Sequence, residues 1–427
     1  VRALLRGEER PPGPFRPEFW RSPLRGPWLT SVFGLVLLVG LPIVAVTGLV
    51  SYAAYNPRLP GNDLTPESGL LRFYLFDWPV RPVWIYRVTQ GIHVILGLTL
   101  VPVLLAKLWS VIPKLFAWPP ALSPAQALER ASLLLLVGGA VFEFVTGIFN
   151  IQLFYIFPFS FYSGHLYGAW IFLAALTVHV AIKLPRLVTA LRSRSFRQEL
   201  RTRLQDTRPE PPDPDGLVAA APAPPTMSRR GLLTFVGGGS LAVLGLSVGQ
   251  TMDGLPRRTA LLAPHGREYG PGPNDFQVNK TAASVGIVPA ETGPGWRLTL
   301  AGARQMRLTR EELLAMPLHT YRLPIACVEG WSTEQAWTGV RLADLARLCG
   351  AKGDIGVYVR SLQKGGVFSH ASLSAPQTAD PRSLLALRVN GADLSLDHGF
   401  PARIIVPGAP GVHNTKWVRE LDFRPAS

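Results

Sequence analysis

Five nearly unbroken apolar stretches occupy the first 250 residues: 28–51, 83–112, 131–153, 159–184 and 231–250. Each is close to the ~20 residues that carry a helix across ~30 Å of hydrocarbon. Leu, Val, Ile and Phe fill the first four, with Trp and Tyr near the ends, as a helix meeting lipid headgroups requires. Before the third stretch, "SPAQALERA" reads as a helix start, with Ser123 as N-cap, Pro124 in the first helical position and Gln126 in the third. From about Pro273 the pattern changes. Short β-like runs ("WRLTLAG", "DIGVYVR", "ARIIVPG") alternate with Gly/Pro turns and two helical patches, "TREELLAM" and "RLADLARLC". The expected fold is an all-α four-helix transmembrane bundle plus a fifth membrane segment, followed by an α+β domain.

Composition supports a membrane part: 48% of residues are hydrophobic and the mean hydropathy is +0.21. The net charge of +15 would suit nucleic acid, but its distribution argues otherwise. Basic residues gather before the first stretch (Arg2, Arg6, Arg10, Arg16, Arg21, Arg25) and after the fourth (Lys183, Arg186, Arg192, Arg194, Arg197, Arg201, Arg203, Arg208). That is the positive-inside pattern of a protein whose partner is the lipid bilayer, with no nucleic acid. The loop 52–82 carries only Arg58, Arg72 and Arg81, balanced by acids, and belongs outside. The expected parts are a cytoplasmic basic arm (1–27), a four-span domain (28–190) and a disordered cytoplasmic linker (191–227) containing the Pro/Ala-rich "DTRPEPPDPDGLVAAAPAPPT". A segment at 228–252 follows, then an extracytoplasmic domain at 265–427. Ser228-Arg229-Arg230-Gly231-Leu232-Leu233 resembles a twin-arginine export signal; read only as a fifth helix with basic flanks, it leads to the same side. The expected location is the inner membrane of a bacterial cell, crossed several times.

His93, His165 and His179 lie inside these stretches, where an ionisable side chain is a functional hypothesis by default. At ~100° and ~1.5 Å per residue, His165 and His179 fall within about 40° of one face and ~21 Å apart. One imidazole then lies near each membrane surface, as two stacked haems would need. The block resembles the bacterial cytochrome b561-like family, including the haem-b subunits of hydrogenases and formate dehydrogenases. The resemblance implies one haem b between His93 and His165 on the outer side. A second, through His179, would need a partner from a first span that has no histidine. Histidines bonded only within the bundle are the alternative. Glu143 in the third span reads as a proton relay at a quinol site or as a bond to a neighbouring helix. Arg87 reads as a partner for a haem propionate or as a snorkelling interfacial cation.

Two cysteines, Cys327 and Cys349, cannot build a disulfide framework or a multi-cysteine metal site. Single cysteines are most often buried and inert, and Cys349, in an amphipathic patch, reads that way. Cys327 keeps different company. "DFQVNKTAASVGI" (275–287), "CVEGWSTEQAWTGVRLADL" (327–345) and "LLALRVNGADLSLDHGFPARIIVPGAPGVHNTKWV" (384–418), in that order, resemble the molybdopterin-dependent sulfite oxidase superfamily. The resemblance implies a sulfite-oxidase-like molybdopterin domain in which the Cys327 thiolate ligates molybdenum, a metal–dithiolene that favours soft sulfur. By the same resemblance Asn279, Lys280, His398, Arg403, Asn414, Thr415 and Lys416 bind the cofactor, whose phosphate suits cations and backbone donors. His370 and His413 read as pocket lining or as surface loop.

Sulfite-oxidising members carry arginines just after the cysteine, whereas Val328-Glu329-Gly330-Trp331 stands here. Cys-x-Glu-x-Trp is closer to the bacterial periplasmic branch that reduces sulfoxides, and Glu329 joins Cys327 as a catalytic candidate. The expected function is a membrane-bound molybdenum oxidoreductase. Electrons would pass between the quinone/quinol pool, haem b and an extracytoplasmic Mo-pterin centre that reduces a small oxo substrate or methionine sulfoxide in protein. The alternatives are a sulfite-type oxidase delivering electrons to quinone, and a non-catalytic haem electron-transfer or sensor scaffold.

Overall fold

The computed structural model describes residues 10–62, 76–119, 123–213, 216–263, 270–366 and 368–425. Arg2, Arg6 and Arg72 of the charge pattern, and residues 265–269 of the expected outer domain, lie outside them. Among the described residues five helices are long and apolar enough to cross a membrane: α1 (Pro27–Ala54), α2 (Ile85–Leu115), α3 (Pro124–Ile151), α4 (Phe161–Ser193) and α5 (Arg229–Ser247). Several outrun their apolar cores because polar turns continue the helix. At α3 the expected cap is present, with the Gln126 amide donating to Ser123 Oγ at 3.3 Å. The chain divides into two compact units, one of Val1–Ala45, Leu96–Phe149 and Gly164–Leu244, the other of Val46–Ile95, Asn150–Ser163 and Gly245–Ser427.

In the first unit all five helices feed one apolar cluster. It takes Leu29, Phe33 and Leu37 from α1, Leu100 and Val103 from α2, Ala140 from α3, Phe172 from α4 and Val236 from α5. The fifth segment expected beside the four is present as α5, and it shares their core. The stretch 191–227, expected to be disordered, also makes defined contacts. A helix starts with unpaired N–H groups and a partial positive charge. Glu210, 182 positions along the chain, meets both: Oε2 accepts from the Trp28 amide at 2.9 Å and Oε1 from the Leu29 amide at 3.4 Å. Gly26 makes room, since a Cβ there would stand 2.4 Å from the Glu210 carboxyl carbon. Arg229, the first of the twin arginines, is buried and donates to the carbonyls of Pro23 (3.3 Å) and Arg208 (2.8 Å). Its guanidinium lies 3.7 Å from Glu199, which Arg194 holds at 2.6 Å. Among its described residues the stretch holds only short helical turns (Phe196–Glu199 and Leu204–Asp206) after the end of α4, yet it supplies these buried polar contacts.

The second unit carries the sheets. Strands β1 (Leu298–Ala301), β2 (Met306–Leu308), β5 (Ile355–Ser361), β6 (His370–Leu373) and β10 (Val418–Pro425) form one in the order β2-β1-β10-β5-β6. Only the β1–β10 pair in it is parallel. Strands β3 (His319–Ala326), β4 (Ser332–Arg341), β7 (Leu384–Val389) and β8 (Ala392–Asp393) form the other, with β9 (Arg403–Ile405) also paired to β7. Alternating positions such as Leu298/Leu300 and Val357/Val359 point into a common core, joined by Leu385, Leu387, Ile404 and helix α6 (Leu342–Leu348). This is the expected α+β domain. Its β3–β4 hairpin is in register from His319↔Gly339 to Ala326↔Ser332, which leaves residues 327–331 as the tip.

Candidate active site

Cys327 opens that tip. The turn closes when the Gly330 amide donates to the Cys327 carbonyl (3.0 Å) and the Cys327 amide to the Trp331 carbonyl (2.9 Å). Gly330 has φ +86°, a left-handed conformation that a side chain would strain. Trp331 is buried in an apolar cluster with Phe276 and Trp337, which anchors the far side of the turn. The Cys327 thiol is half-buried. Asn279 Nδ2 donates to its Sγ at 3.4 Å, and Gln277 Nε2 steadies Asn279 Oδ1 at 3.1 Å. Burial, and after it the Glu329 carboxylate, pushes the thiol well above its ordinary pKa; burial likewise raises Glu329.

The loop after β9 forms the opposite wall. Ala326 bridges to Pro410, and a Cβ on Gly411 would lie 3.6 Å from Cys327 Sγ. Asn414 organises this loop rather than offering its amide outward: Oδ1 accepts from the Val406 amide at 2.8 Å and Nδ2 donates to the Pro410 carbonyl at 3.2 Å. Arg403, buried over the Trp337 ring, donates to the carbonyls of His398 and Asn414, both at 3.1 Å. Burial lowers Arg403 to about 9. His398 stacks on Phe276 (centroids 3.7 Å apart) and bonds the Asn274 carbonyl through Nε2 at 2.8 Å. Burial, then Arg403, lowers it to about 3, so it is neutral. Lys416 donates to the carbonyls of Lys280 and Asp397, and burial, then Arg403, lowers it to about 7. The Lys280 side chain is exposed. Among the site residues expected from sequence, Asn279, Cys327, Glu329, His398, Arg403, Asn414, Thr415 and Lys416 thus belong to one connected set of loops.

Residues 285–427 match the family described as oxidoreductase molybdopterin binding domain. This part of the chain is a molybdopterin-binding oxidoreductase domain. The uncharacterized oxidoreductase YuiH of Bacillus subtilis is 32% identical over 131 residues, covering 30% of this chain and 65% of that protein. Mitochondrial sulfite oxidase of Drosophila melanogaster is 33% identical over 147 residues, 28% of this chain and 25% of its own length. An NADH nitrate reductase of Ulva prolifera is 29% identical over 168 residues, 32% and 20% of the two chains. The match therefore spans less than two thirds of each relative. The solved sulfane dehydrogenase SoxCD of Paracoccus pantotrophus is 26% identical, covering 30% of this chain and 38% of its own, at a TM-score of 0.29, too low to inform the fold.

The donor set of the molybdopterin-binding domain fits its cofactor. Glu329 Oε2, Arg403 Nε, Thr415 Oγ1 and both ring nitrogens of His413 are buried without a hydrogen-bond partner. A buried group left so costs about 1–3 kcal/mol, and these lie on the very turn and loops that surround Cys327. A soft sulfur ligand ringed by open donors and acceptors suits a metal carrying a polar, anionic pterin.

His413, which the sequence allows as pocket lining or surface loop, is buried beside the site, edge-on to Tyr55 (centroids 6.5 Å), and burial lowers it to about 4. The Tyr55 backbone is near enough to favour its protonated form slightly, but not in hydrogen-bonding geometry. Tyr55 and Tyr86 meet hydroxyl to hydroxyl at 2.9 Å, and Gln90 reaches the Val328 carbonyl. No motif marked these three. His370 lies elsewhere, on β6, bonded to Ser369 Oγ at 3.0 Å and stacked on Tyr358. Arg87 is paired with Asp253 at 2.8 Å and with the Thr251 carbonyl at 2.8 Å, so no propionate is needed to hold it. In the first unit, His165 Nδ1 meets Thr146 Oγ1 at 3.0 Å and Glu143 Oε2 at 3.2 Å. Metal-ligating histidines commonly have their second nitrogen held in this way. His93, in the second unit, packs on Gly48, where a Cβ would come 2.8 Å from the ring. His179 lies on α4 in the first unit.

Proposed function

We propose that this chain is a membrane-bound molybdenum oxidoreductase that passes electrons between a quinone pool, haem b and an extracytoplasmic Mo-pterin centre, reducing an S-oxide-type substrate. The observation that carries the reading is the Cys327 turn: a half-buried thiol, bonded by Asn279 and surrounded by buried polar atoms without partners. Molybdenum on a dithiolene supplies two-electron oxygen-atom transfer, and haem b supplies single-electron steps. Cys327 would hold the metal. Asn279 steadies the sulfur, and Arg403, Thr415, Lys416 and His413 would meet the pterin and its phosphate. Glu329, raised by burial, holds a proton more readily than an ordinary carboxyl and keeps it beside the sulfur. His93 and His165 would hold the haem, with Thr146 and Glu143 orienting His165; His179 would serve a second. The five helices span the inner membrane, and the twin-arginine-like segment exports the folded domain.

A second reading, oxidation of a sulfite-type anion, is favoured by the likeness to sulfite oxidases. Glu329 beside the thiol, where a cation would hold such an anion, weighs against it. Metal and haem analysis of purified protein tests the proposal. About one molybdenum per chain and a haem spectrum are expected, and no molybdenum would leave only a binding scaffold. Sulfite-dependent haem reduction would favour the oxidase; sulfoxide-dependent haem oxidation supports the reductase.

A further inference from the structure

Gln90 is buried on α2, in the same unit as the molybdopterin-binding domain. Its Nε2 donates to the Val328 carbonyl at 2.6 Å, and Val328 follows Cys327 directly in the chain. Neighbouring positions of α2 reinforce the contact. Val94 fills the space over Gly330, where a Cβ would come 2.6 Å from Val94 Cβ, and Arg87 is tied to Thr251 and Asp253. Positions 87, 90 and 94 share one helix face. His93, the proposed haem ligand, stands three residues beyond Gln90 and therefore about one turn away.

We propose that Gln90 is the bridging residue between the two redox centres. It joins the helix that carries His93 to the turn that carries Cys327 by one hydrogen bond. This inference rests on the function proposed above. An electron tunnels more readily along covalent and hydrogen-bonded atoms than across a gap between packed side chains. The path here is one turn of α2, the Gln90 side chain, its hydrogen bond, and the Val328 peptide to Cys327. Two electrons cross one at a time. A quinol supplies them and releases two protons on becoming quinone. The S-oxide consumes two electrons and two protons on becoming sulfide and water.

The test uses the full chain, wild type and Gln90→Leu, which keeps the bulk and removes the donor. Haem reduced under anaerobic conditions is mixed with methionine sulfoxide, and its absorbance change is followed. Turnover driven by reduced methyl viologen is measured in parallel, with molybdenum and haem contents. Haem reoxidation is expected to slow several-fold in the variant, and by a larger factor than viologen-driven turnover. An equal factor in both assays would reduce Gln90 to a structural role, and an unchanged reoxidation rate would overturn the bridge outright. Independently of turnover, maleimide should label Cys327 faster in Gln90→Leu made without the pterin; an unchanged labelling rate means that Gln90 does not hold the turn. If Gln90→Leu does not assemble, Gln90→Asn, one methylene shorter, repeats the comparison. Wild-type protein lacking molybdenum or haem would instead remove the proposed function itself.

Discussion

Cys349 and Cys327 are the chain's two thiols, and their surroundings differ in kind. Cys349 closes α6 inside the main apolar core, with Sγ toward the carbonyls of Ala346 at 3.3 Å and Ala301 at 3.8 Å. Packing is so close that a Cβ on Gly302 would stand 2.7 Å from that sulfur. Around Cys327 the protein has instead gathered a carboxyl, an amide and a loop of polar side chains, several of them buried without partners. Both thiols are raised in pKa chiefly by burial, so acidity does not separate them. What separates them is the unmet bonding capacity nearby. Buried polar groups without partners in its walls suit a polar cofactor, and among the described residues the Cys349 core has none of that character.

The strongest way to break this comparison is to exchange sulfur for oxygen at Cys327. On the function proposed above, Cys327→Ser is expected to abolish sulfoxide-dependent turnover while the haem absorbance persists; full activity in that variant would make the two cysteines equivalent. Removing a wall comes next. Arg403→Met leaves the His398 and Asn414 carbonyls without their donor, and should cost about 3 kcal/mol in chemical denaturation together with bound molybdenum. Undiminished stability and metal content would mean that the polar wall is incidental.

The third test is pH. His398 has a folded pKa of about 3 against an ordinary 6.5, so the unfolded chain takes up the proton first. The stability it contributes is present above about pH 6.5 and is lost as pH falls toward 3. His398→Gln should flatten that part of the melting-temperature profile, and an unaltered slope would show that another group governs it. The smallest effect belongs to the core. Cys349→Ala should leave turnover intact and lower stability by roughly 1 kcal/mol, the scale of a small buried truncation. A loss of turnover there would give the inert thiol a role the fold does not suggest.

Much of this was legible along the chain. Apolar runs announced the five long helices, Ser123 and Pro124 announced the start of α3, and the amphipathic "RLADLARLC" announced α6 with Cys349 against the core. These are local properties, written by the period of hydrophobic positions and by helix-end chemistry. The motif around Cys327 pointed to the tip of the β3–β4 hairpin and to the loop after β9, which the fold brings together. What stayed illegible was the identity of distant partners. Glu210 caps α1 from within a Pro-rich stretch, Arg229 is buried by carbonyls from Pro23 and Arg208, and Arg87 is paired with Asp253. Along the chain Glu210 reads as a linker charge, Arg229 as part of an export signal and Arg87 as a propionate partner or interfacial cation, because sequence does not tell which group in the fold a charge will meet.

By itself, then, the sequence determined the long helices, the change to an α+β domain near Pro273, the neutral fate of Cys349 and the candidacy of Cys327. Hydrophobic burial follows the order of residues over a few turns or strands, and that order can be read directly. Only the tertiary structure decided that His413 lines the site and His370 does not, that Asn414 spends its amide holding its own loop, and that Gln90 reaches across 238 positions to the Val328 carbonyl. Hydrogen bonds are short and directional, so they depend on where the folded backbone puts each group. Those positions exist only once the hairpin, the loop after β9 and the end of α2 have come together.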